Sequence, residues 1–581
     1  MDLKKFLPLL EVFPTYKLVD FKFDFISGLT VGIMLVPQGM AYALLAGMPP
    51  IYGLYSGLIP MLLYGLFGTS RHLSIGPVAI SSLLVLAGIS KLAEPQSDSF
   101  IALVIFTGLL IGVVQILMSF LKLGFLVNFL SHPVVAGFTS AAAVIIAISQ
   151  LKYILGIDIP RFGHFYQTLE YAAFHLRETN LPTLLIGGIG IILILLFRKI
   201  SRKIPGALIV LIIGILVVKI FGLDRFGVAI VGDVPKGLPA FSIPDLNWGN
   251  ITALLPTVFI VTIIEIVESI GIAKVLEAKH QNYIVRPNQE LLALGVSKFG
   301  GAFFQAIPTS GSFTRSAINS ESGAKSGLSS IITALLIGLT LAFLTSVFFY
   351  LPKTILAAII MVAINGLFAF EEALFLWKVS RSDFYMLLLT FVVTLILGIG
   401  QGVLAGVLLS LILVIYRSST PHMVVLGKLP DTTYYRNVRR FPKALQREDA
   451  LIVRFDAPLY FCNASFFKES IRNFIQQKGE KLKLLLLDAS SIQDVDASGL
   501  NALKEIIHQS KQQGITFYIS GVIGPVRDVL FKAGLMVGIG SKNQFMHIHD
   551  AMEFYKNLKN EKAGTWSKDV LQTNAKKTKS P

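Results

Sequence analysis

From Phe25 to Tyr416 the chain is a series of apolar runs separated by short polar or Gly/Pro-rich breaks. Ile101–Phe120, Leu126–Ile148, Leu328–Phe349, Ile355–Phe370 and Gln401–Tyr416 are the clearest runs. A helix that crosses a bilayer needs roughly 17–25 apolar residues. Several runs meet that length, and others need polar flanks or partner helices to complete them. The pattern predicts about fourteen membrane segments, near 25–46, 51–67, 75–91, 101–121, 125–150, 181–199, 205–222, 251–276, 286–303, 311–322, 327–350, 354–377, 382–398 and 400–417. The polar stretch Leu223–Asn250 divides them into two halves of seven. An odd number of spans per half inverts the second half relative to the first, the inverted repeat common in secondary transporters. This repeat follows from position alone, because no obvious sequence similarity links the halves.

The pattern changes after Ser418. Leu451–Phe455, Leu482–Leu487 and Thr516–Ser520 read as strands, and Ala497–Gln513 and Val526–Ala533 as helices. Strands alternating with helices predict a small α/β domain. The expected organisation is an N-terminal segment 1–24, a transmembrane domain 25–418, an α/β domain 435–557 and a disordered basic tail 558–581.

Two hydrophobic segments are broken at matching places, about 235 residues apart. One reads Ser74-Ile75-Gly76-Pro77-Val78-Ala79-Ile80-Ser81-Ser82 and the other Pro308-Thr309-Ser310-Gly311-Ser312-Phe313-Thr314-Arg315-Ser316. They are the third segment of each half. Paired interrupted spans point to a substrate site at the bilayer midplane. Helix N-termini at such breaks carry free N–H groups and partial positive charge, so they attract anions. Arg315 adds a full charge beside the second break. A break facing lipid would leave backbone groups unsatisfied, so both belong in a protein-lined cavity.

Composition agrees with a membrane protein. Of 581 residues, 54% are hydrophobic and only 15% charged. The net charge of +16 fits Lys/Arg-rich loops and tails on the cytoplasmic side, such as Arg198-Lys199, Arg202-Lys203, Arg439-Arg440 and Lys576-Lys577-Thr578-Lys579. Nucleic-acid binding is the less favoured reading of that charge. The even span count then puts both termini and the α/β domain in the cytoplasm of a cell whose inner membrane holds the chain. The single cysteine, Cys462, excludes an intramolecular disulfide and a Cys-based zinc cluster, and reads as a packed apolar residue. The first residues lack a signal-peptide core with a cleavage site. No nucleotide loop, metal cluster or nucleophile–base pair stands out, so neither an enzyme nor a cofactor is expected.

Several stretches match one family: Val36-Pro37-Gln38-Gly39-Met40-Ala41-Tyr42-Ala43, Pro49-Pro50-Ile51-Tyr52-Gly53-Leu54-Tyr55, Gly68-Thr69-Ser70-Arg71-His72-Leu73-Ser74-Ile75-Gly76-Pro77 and Phe129-Leu130-Ser131-His132-Pro133-Val134-Val135-Ala136-Gly137-Phe138. The chain strongly resembles the SulP family, the sulfate permease-like anion transporters whose animal relatives include prestin. The C-terminal part resembles the family's STAS domain, and Asp494-Val495-Asp496-Ala497-Ser498-Gly499 resembles the loop of bacterial anti-sigma-factor antagonists. The resemblance implies fourteen spans in a core and a gate domain. It also implies an anion held between the N-termini of the third and tenth segments. The matching positions are Gln38, Tyr42, Pro77, Val78, Ser312, Phe313, Thr314 and Arg315. Their chemistry suits that role. N–H groups near Val78 and Phe313 can donate to an anion, Gln38, Ser312 and Thr314 can add neutral hydrogen bonds, and Tyr42 and Phe313 can wall off solvent.

Arg in the middle of a membrane protein usually faces a pathway or a partner. Site electrostatics is the leading reading for Arg315, and an ion pair with Glu265 or Glu268 the alternative. Glu265 and Glu268 are three apart and share a helical face. Burial in a low dielectric raises a carboxylate's proton affinity in general, which is what proton coupling requires. Glu268 matches the acidic position that proton-coupled members of the family carry, and Glu265 is the second candidate. A sodium site built from carboxylate and hydroxyl oxygens is the rival. Gly137, Ser140 and Ala141 read as close-packing residues, and Arg71 and His72 as structural. Ser498 is either a phosphorylation site or, preferably, an N-cap serine.

The expected function is secondary active transport of a small anion by alternating access, sulfate first, with bicarbonate and C4-dicarboxylates as alternatives. The expected partners are that inorganic or carboxylate anion, a proton or sodium ion, the lipid bilayer and a second copy in a homodimer, with no nucleic acid. An uncoupled exchanger or channel on the same fold, and a membrane-tethered STAS signalling protein, are the rival functions. A nucleobase carrier of the same fold is disfavoured by Gln38, Thr314-Arg315 and the STAS features.

Overall fold

The computed structural model describes residues 6–125, 131–160, 162, 164–200, 205–244 and 248–558. The first five residues, the Phe129-Leu130 part of the fourth motif, Arg202-Lys203 and, apart from Leu558, the expected disordered tail lie outside the described residues. The chain forms two compact units, Met1–Ser410 and Leu411–Pro581.

The first unit is helical. Among the described residues, seven helices are long and apolar enough to cross a membrane by themselves: Leu18–Leu45, Asp98–Phe120, His132–Leu155, Leu181–Ile200, Gly249–His280, Leu328–Phe348 and Lys353–Val379. Shorter apolar helices occupy Ile51–Phe67, Ala79–Ile89, Gly206–Phe221 and Leu404–Ser419. Helices at Pro287–Ala302, Phe313–Glu321 and Arg381–Leu397 occupy three further expected segments. The elements that build the site are α1 (Leu18–Leu45), β1 (Ile75–Gly76), α2 (Ala79–Ile89), α3 (Asp98–Phe120), α4 (Trp248–His280), α5 (Pro287–Ala302), β2 (Ser310–Gly311) and α6 (Phe313–Glu321).

These helices pack in two sets, which are joined where Lys353–Ala363 and Gly206–Phe221 also pack on α1. In one, α5 runs along α3 and Ile59–Phe67, Leu328–Leu339 runs along α1, and α4 packs on α2 and α3. In the other, Arg381–Leu397 packs on His132–Ser149, and Leu181–Ile200 on Lys353–Ala363 and Gly206–Phe221. Small residues set both contacts, as expected where lipid-facing helices must approach closely. A Cβ on Gly112 of α3 would lie 2.6 Å from the amide nitrogen of Phe299 on α5. A Cβ on Gly137 would lie 2.3 Å from the Leu387 carbonyl oxygen. Ser140 accepts from the Ala369 amide at 3.0 Å, so this expected packing residue also ties down a loop.

The second unit is an α/β domain on one six-stranded sheet. Its strands are β3 (Met423–Lys428), β4 (Tyr435–Asn437), β5 (Ala450–Phe455), β6 (Leu484–Asp488), β7 (Thr516–Ser520) and β8 (Gln544–Phe545), in the order β4-β3-β5-β6-β7-β8. β3 is antiparallel to both neighbours, and β5 to β8 are parallel. β6 is buried along its whole length, as a central parallel strand covered on both faces must be. Leu485 and Leu487 face the cluster that holds Phe467 of α7 (Ala464–Lys478) and Leu503 of α8 (Ala497–Gln512). Leu484 and Leu486 face the cluster of Met552 and Tyr555 from Ile548–Leu558. The sheet thus takes β3 from chain ahead of residue 435, and β4 and α7 add to the elements expected from sequence.

Candidate functional site

The two breaks meet. β1 and β2 pair antiparallel, Ile75 opposite Gly311 and Gly76 opposite Ser310, and the Ser312 amide donates to the Ser74 carbonyl at 3.0 Å. Antiparallel strands leave such a ladder in opposite directions. α2 therefore starts on one side of the junction and α6 on the other, each with its N-terminus toward it. The first turn of a helix leaves N–H groups without partners inside the helix, and the helix dipole makes both ends partly positive. Val78, the residue before α2, is extended. Ser312 caps α6, its Oγ accepting from the Arg315 amide at 3.4 Å.

Arg315 is fully buried at this junction. Its Nη1 donates to the Pro77 carbonyl at 3.2 Å and to Gln38 Oε1 at 3.4 Å. Its Nε and Nη2 have no hydrogen-bond partner among the described residues. Gly76 has φ +150°, and a Cβ there would lie 3.0 Å from Arg315 Nη2. Glycine at this position serves both a backbone conformation other residues avoid and room for the guanidinium.

The eight expected binding positions therefore divide. Gln38, Tyr42, Pro77, Val78 and Arg315 are buried together. Ser312 is half-buried, and the side chains of Phe313 and Thr314 are exposed. Gln38 spends its amide oxygen on Arg315, which leaves its NH2 group as the donor for a ligand.

Neither carboxylate forms a salt bridge with Arg315, so the alternative ion-pair reading does not hold among the described residues. Glu268 Oε2 accepts from Ser310 Oγ at 3.2 Å, directly on β2. Ser269 Oγ lies 3.1 Å from Ser310 Oγ and accepts from the Gly311 amide at 2.8 Å. Glu265 Oε2 instead lies 3.2 Å from Lys298 Nζ on α5, both side chains wholly inaccessible. Lys298 also donates to Gln115 Oε1 of α3 at 3.0 Å. Lys298, Gln115 and Ser269 escaped the sequence reading. The one available signal was a lone lysine inside the apolar stretch from Leu291 to Phe304.

The link before the first break is held rigidly. His72 is buried, its Nε2 3.0 Å from the Ala324 carbonyl oxygen and its ring stacked on His280 at 3.9 Å between centroids. Arg71 lies over the Tyr283 ring. Glu290, also missed, is buried and accepts from Tyr64 Oη at 2.7 Å, the Thr69 amide at 2.7 Å and the Ser70 amide at 2.9 Å. In the second unit the cap of α8 is Asp496, whose Oδ1 accepts from the Gly499 amide at 2.8 Å. The expectation of a Ser498 cap is corrected: the helix begins at Ala497, so Ser498 already lies inside its first turn.

Residues 21–390 match the Sulfate permease family, and residues 441–551 match the STAS domain. The chain belongs to the Sulfate permease family. It is 41% identical over 550 residues to the probable sulfate transporter 4.2 of Arabidopsis thaliana, covering 92% of this chain and 81% of that one. It is 39% identical over 550 residues to the chloroplastic sulfate transporter 4.1 of the same plant, covering 92% and 80%. The fold superposes on the murine Solute Carrier 26 family member A9 anion transporter in its inward-facing state, with TM-score 0.88 at 27% identity, covering 96% of this chain and 94% of that one. This Sulfate permease family member is an integral membrane protein with a C-terminal STAS domain, and its family consists of transporters, not enzymes.

Proposed function

We propose that this Sulfate permease family member carries a small anion, sulfate first, across its membrane by alternating access. The observation that carries the reading is the junction of β1 and β2. There a buried guanidinium with two unpartnered nitrogens meets the N-termini of two helices. Buried donors without acceptors are costly, and an oxyanion supplies acceptors and charge together. Gln38, Tyr42, Pro77, Val78, Ser312, Phe313, Thr314 and Arg315 form the proposed binding set. The two helix packing groups are the natural moving parts: the junction belongs to one, and the other is the surface it would slide along. Fourteen spans, cytoplasmic termini and a homodimer complete the proposal.

Glu268 is the proposed proton carrier. It is bonded to Ser310 of the junction itself, so its charge bears directly on an anion bound there. A neutral Glu268 adds nothing against the anion, whereas an ionised one repels it. Proton and anion are thereby favoured together. The test is uptake into tight proteoliposomes of labelled sulfate, bicarbonate and a C4-dicarboxylate, under an imposed proton or sodium gradient. Proton-driven sulfate accumulation by the parent and its loss in Glu268→Gln, with anion exchange at equal pH retained, is the expected result. Full proton-driven accumulation by Glu268→Gln would sink the assignment, and accumulation driven by sodium alone would move it to sodium.

A further inference from the structure

The Glu265–Lys298 pair has no part in the binding set, yet it lies one helical turn from Glu268. Two wholly inaccessible charges 3.2 Å apart sit among polar groups from neighbouring elements. Gln115 comes from α3. Ser81 of α2 and Thr262 of α4 add buried hydroxyls beside Glu265. Replacing such a pair by apolar residues of similar volume is often neutral or stabilising, so stability alone is a weak reason for it. Ionisable residues within a membrane protein mark function by default.

The charges around the junction explain what the pair does. α4 brings Glu265 and Glu268, α5 brings Lys298 and α6 brings Arg315, while α1 adds the phenol of Tyr42. Among the described residues α2, β1 and β2 carry no charged group, and α3 carries only Asp98 in its first turn. Glu265 and Lys298 cancel one another. Arg315 and Glu268 are left as the two groups whose charge the anion meets. A buried carboxylate stripped of its counter-charge takes up a proton instead of staying charged. Without Lys298, Glu265 would therefore become a second proton acceptor beside the same anion.

We propose that Lys298 is a positioning residue that fixes the proton count of transport by holding Glu265 permanently in an ion pair. Glu268 is then the single exchangeable carboxylate. The inference rests on the proton reading of Glu268.

The test is the pH dependence of KM for labelled sulfate in proteoliposomes, with the full-length protein. Each proton taken up with the anion contributes about one unit to the limiting slope of log KM against pH. The parent should show a slope of about one. Lys298→Met should steepen it toward about two, and Lys298→Arg should restore the parental profile. The uncharged double variant Glu265→Gln/Lys298→Met should keep the parental slope, because it removes both members of the pair and leaves Glu268 in place. The double variant also carries the test if Lys298→Met does not fold. A folded Lys298→Met with the parental slope, or a flat profile in the double variant, overturns the proposal. A flat profile in the parent overturns the proton reading itself, which separates the two failures.

Discussion

Both units of this protein bury basic side chains, and they treat them differently. In the STAS domain Arg447 is almost inaccessible and makes a two-pronged bond to Asp449, Nε to Oδ1 at 2.8 Å and Nη2 to Oδ2 at 3.1 Å. Lys478 beside it gives its ammonium to the Arg447 carbonyl at 2.5 Å. In the membrane unit Arg315 is as deeply buried, but among the described residues two of its nitrogens are unpartnered and it has no salt bridge. Lys298 stands between these cases, in the membrane unit but paired. Under the proposed function, the difference separates charges that complete a fold from a charge that an anion would complete. Burial alone does not single out Arg315; a full buried charge with unmet hydrogen-bonding capacity does.

The largest expected effect breaks the comparison on the membrane side. Arg315→Ala should lower sulfate uptake by roughly 100-fold, about 3 kcal/mol, the scale of one or two charge-assisted hydrogen bonds. The variant should still fold in detergent, because no carboxylate depends on that guanidinium. Uptake is read in proteoliposomes and folding by size-exclusion elution and thermal melting. Parental uptake and affinity in a folded variant would remove Arg315 from the site. Unfolding would place it with Arg447 as a structural group.

Arg447→Ala should do the reverse. It leaves Asp449 with the Tyr555 hydroxyl at 3.1 Å but without its guanidinium. Breaking a buried pair from one side costs 3–5 kcal/mol; Asp449 is partly exposed, which lowers the expectation to about 2 kcal/mol. Hydrogen exchange on the full-length protein should show faster exchange in β5 and β6, while the ranking of transported anions stays the same. A changed anion ranking would mean that the STAS pair reaches the transport chemistry.

The same contrast governs what could be read from sequence. The breaks were visible because Gly76-Pro77 and Ser310-Gly311 interrupt apolar context, and Arg315 because a charge there is costly. That the two breaks pair with each other was not visible. Strand partners separated by more than two hundred residues leave no local trace, and ladders this short have no alternating pattern. Glu265 was drawn toward Glu268 by their spacing on one helix, whereas its partner Lys298 lies on another. In the STAS domain β6 was legible from its run of leucines. β3 escapes because Met423–Lys428 is one short apolar run buried on both faces, without the alternation that would separate a strand from the polar stretch at 417–422 that precedes it. Ser498 lost the cap to Asp496 because both residue types cap well and only the backbone decides which of them precedes the first helical residue.

The smallest effect sharpens the comparison within the STAS domain. Burial lowers the affinity of the Lys478 ammonium for its proton, down to about 8, with Asp449 and then Glu448 opposing that shift. In the unfolded chain a lysine titrates at about 10.4. Between these values the unfolded state binds more protons than the folded one, so stability rises with pH through that window. Below about pH 8 both states are protonated and the full cost of the buried charge is present. Lys478→Met should abolish this contribution. The difference in stability between parent and variant should shift in favour of the parent from pH 8 to pH 10, by at most about 1.4 kcal/mol per pH unit. Urea-induced loss of STAS structure, followed in both proteins at pH 7, 8, 9 and 10 with differences taken at each pH, isolates this group from the other lysines and tyrosines. A difference that stays constant across the series would mean that the folded domain leaves Lys478 as easily protonated as the unfolded chain does. The carbonyl of Arg447 would then satisfy the ammonium as well as water does, and a paired buried cation would carry no residual cost.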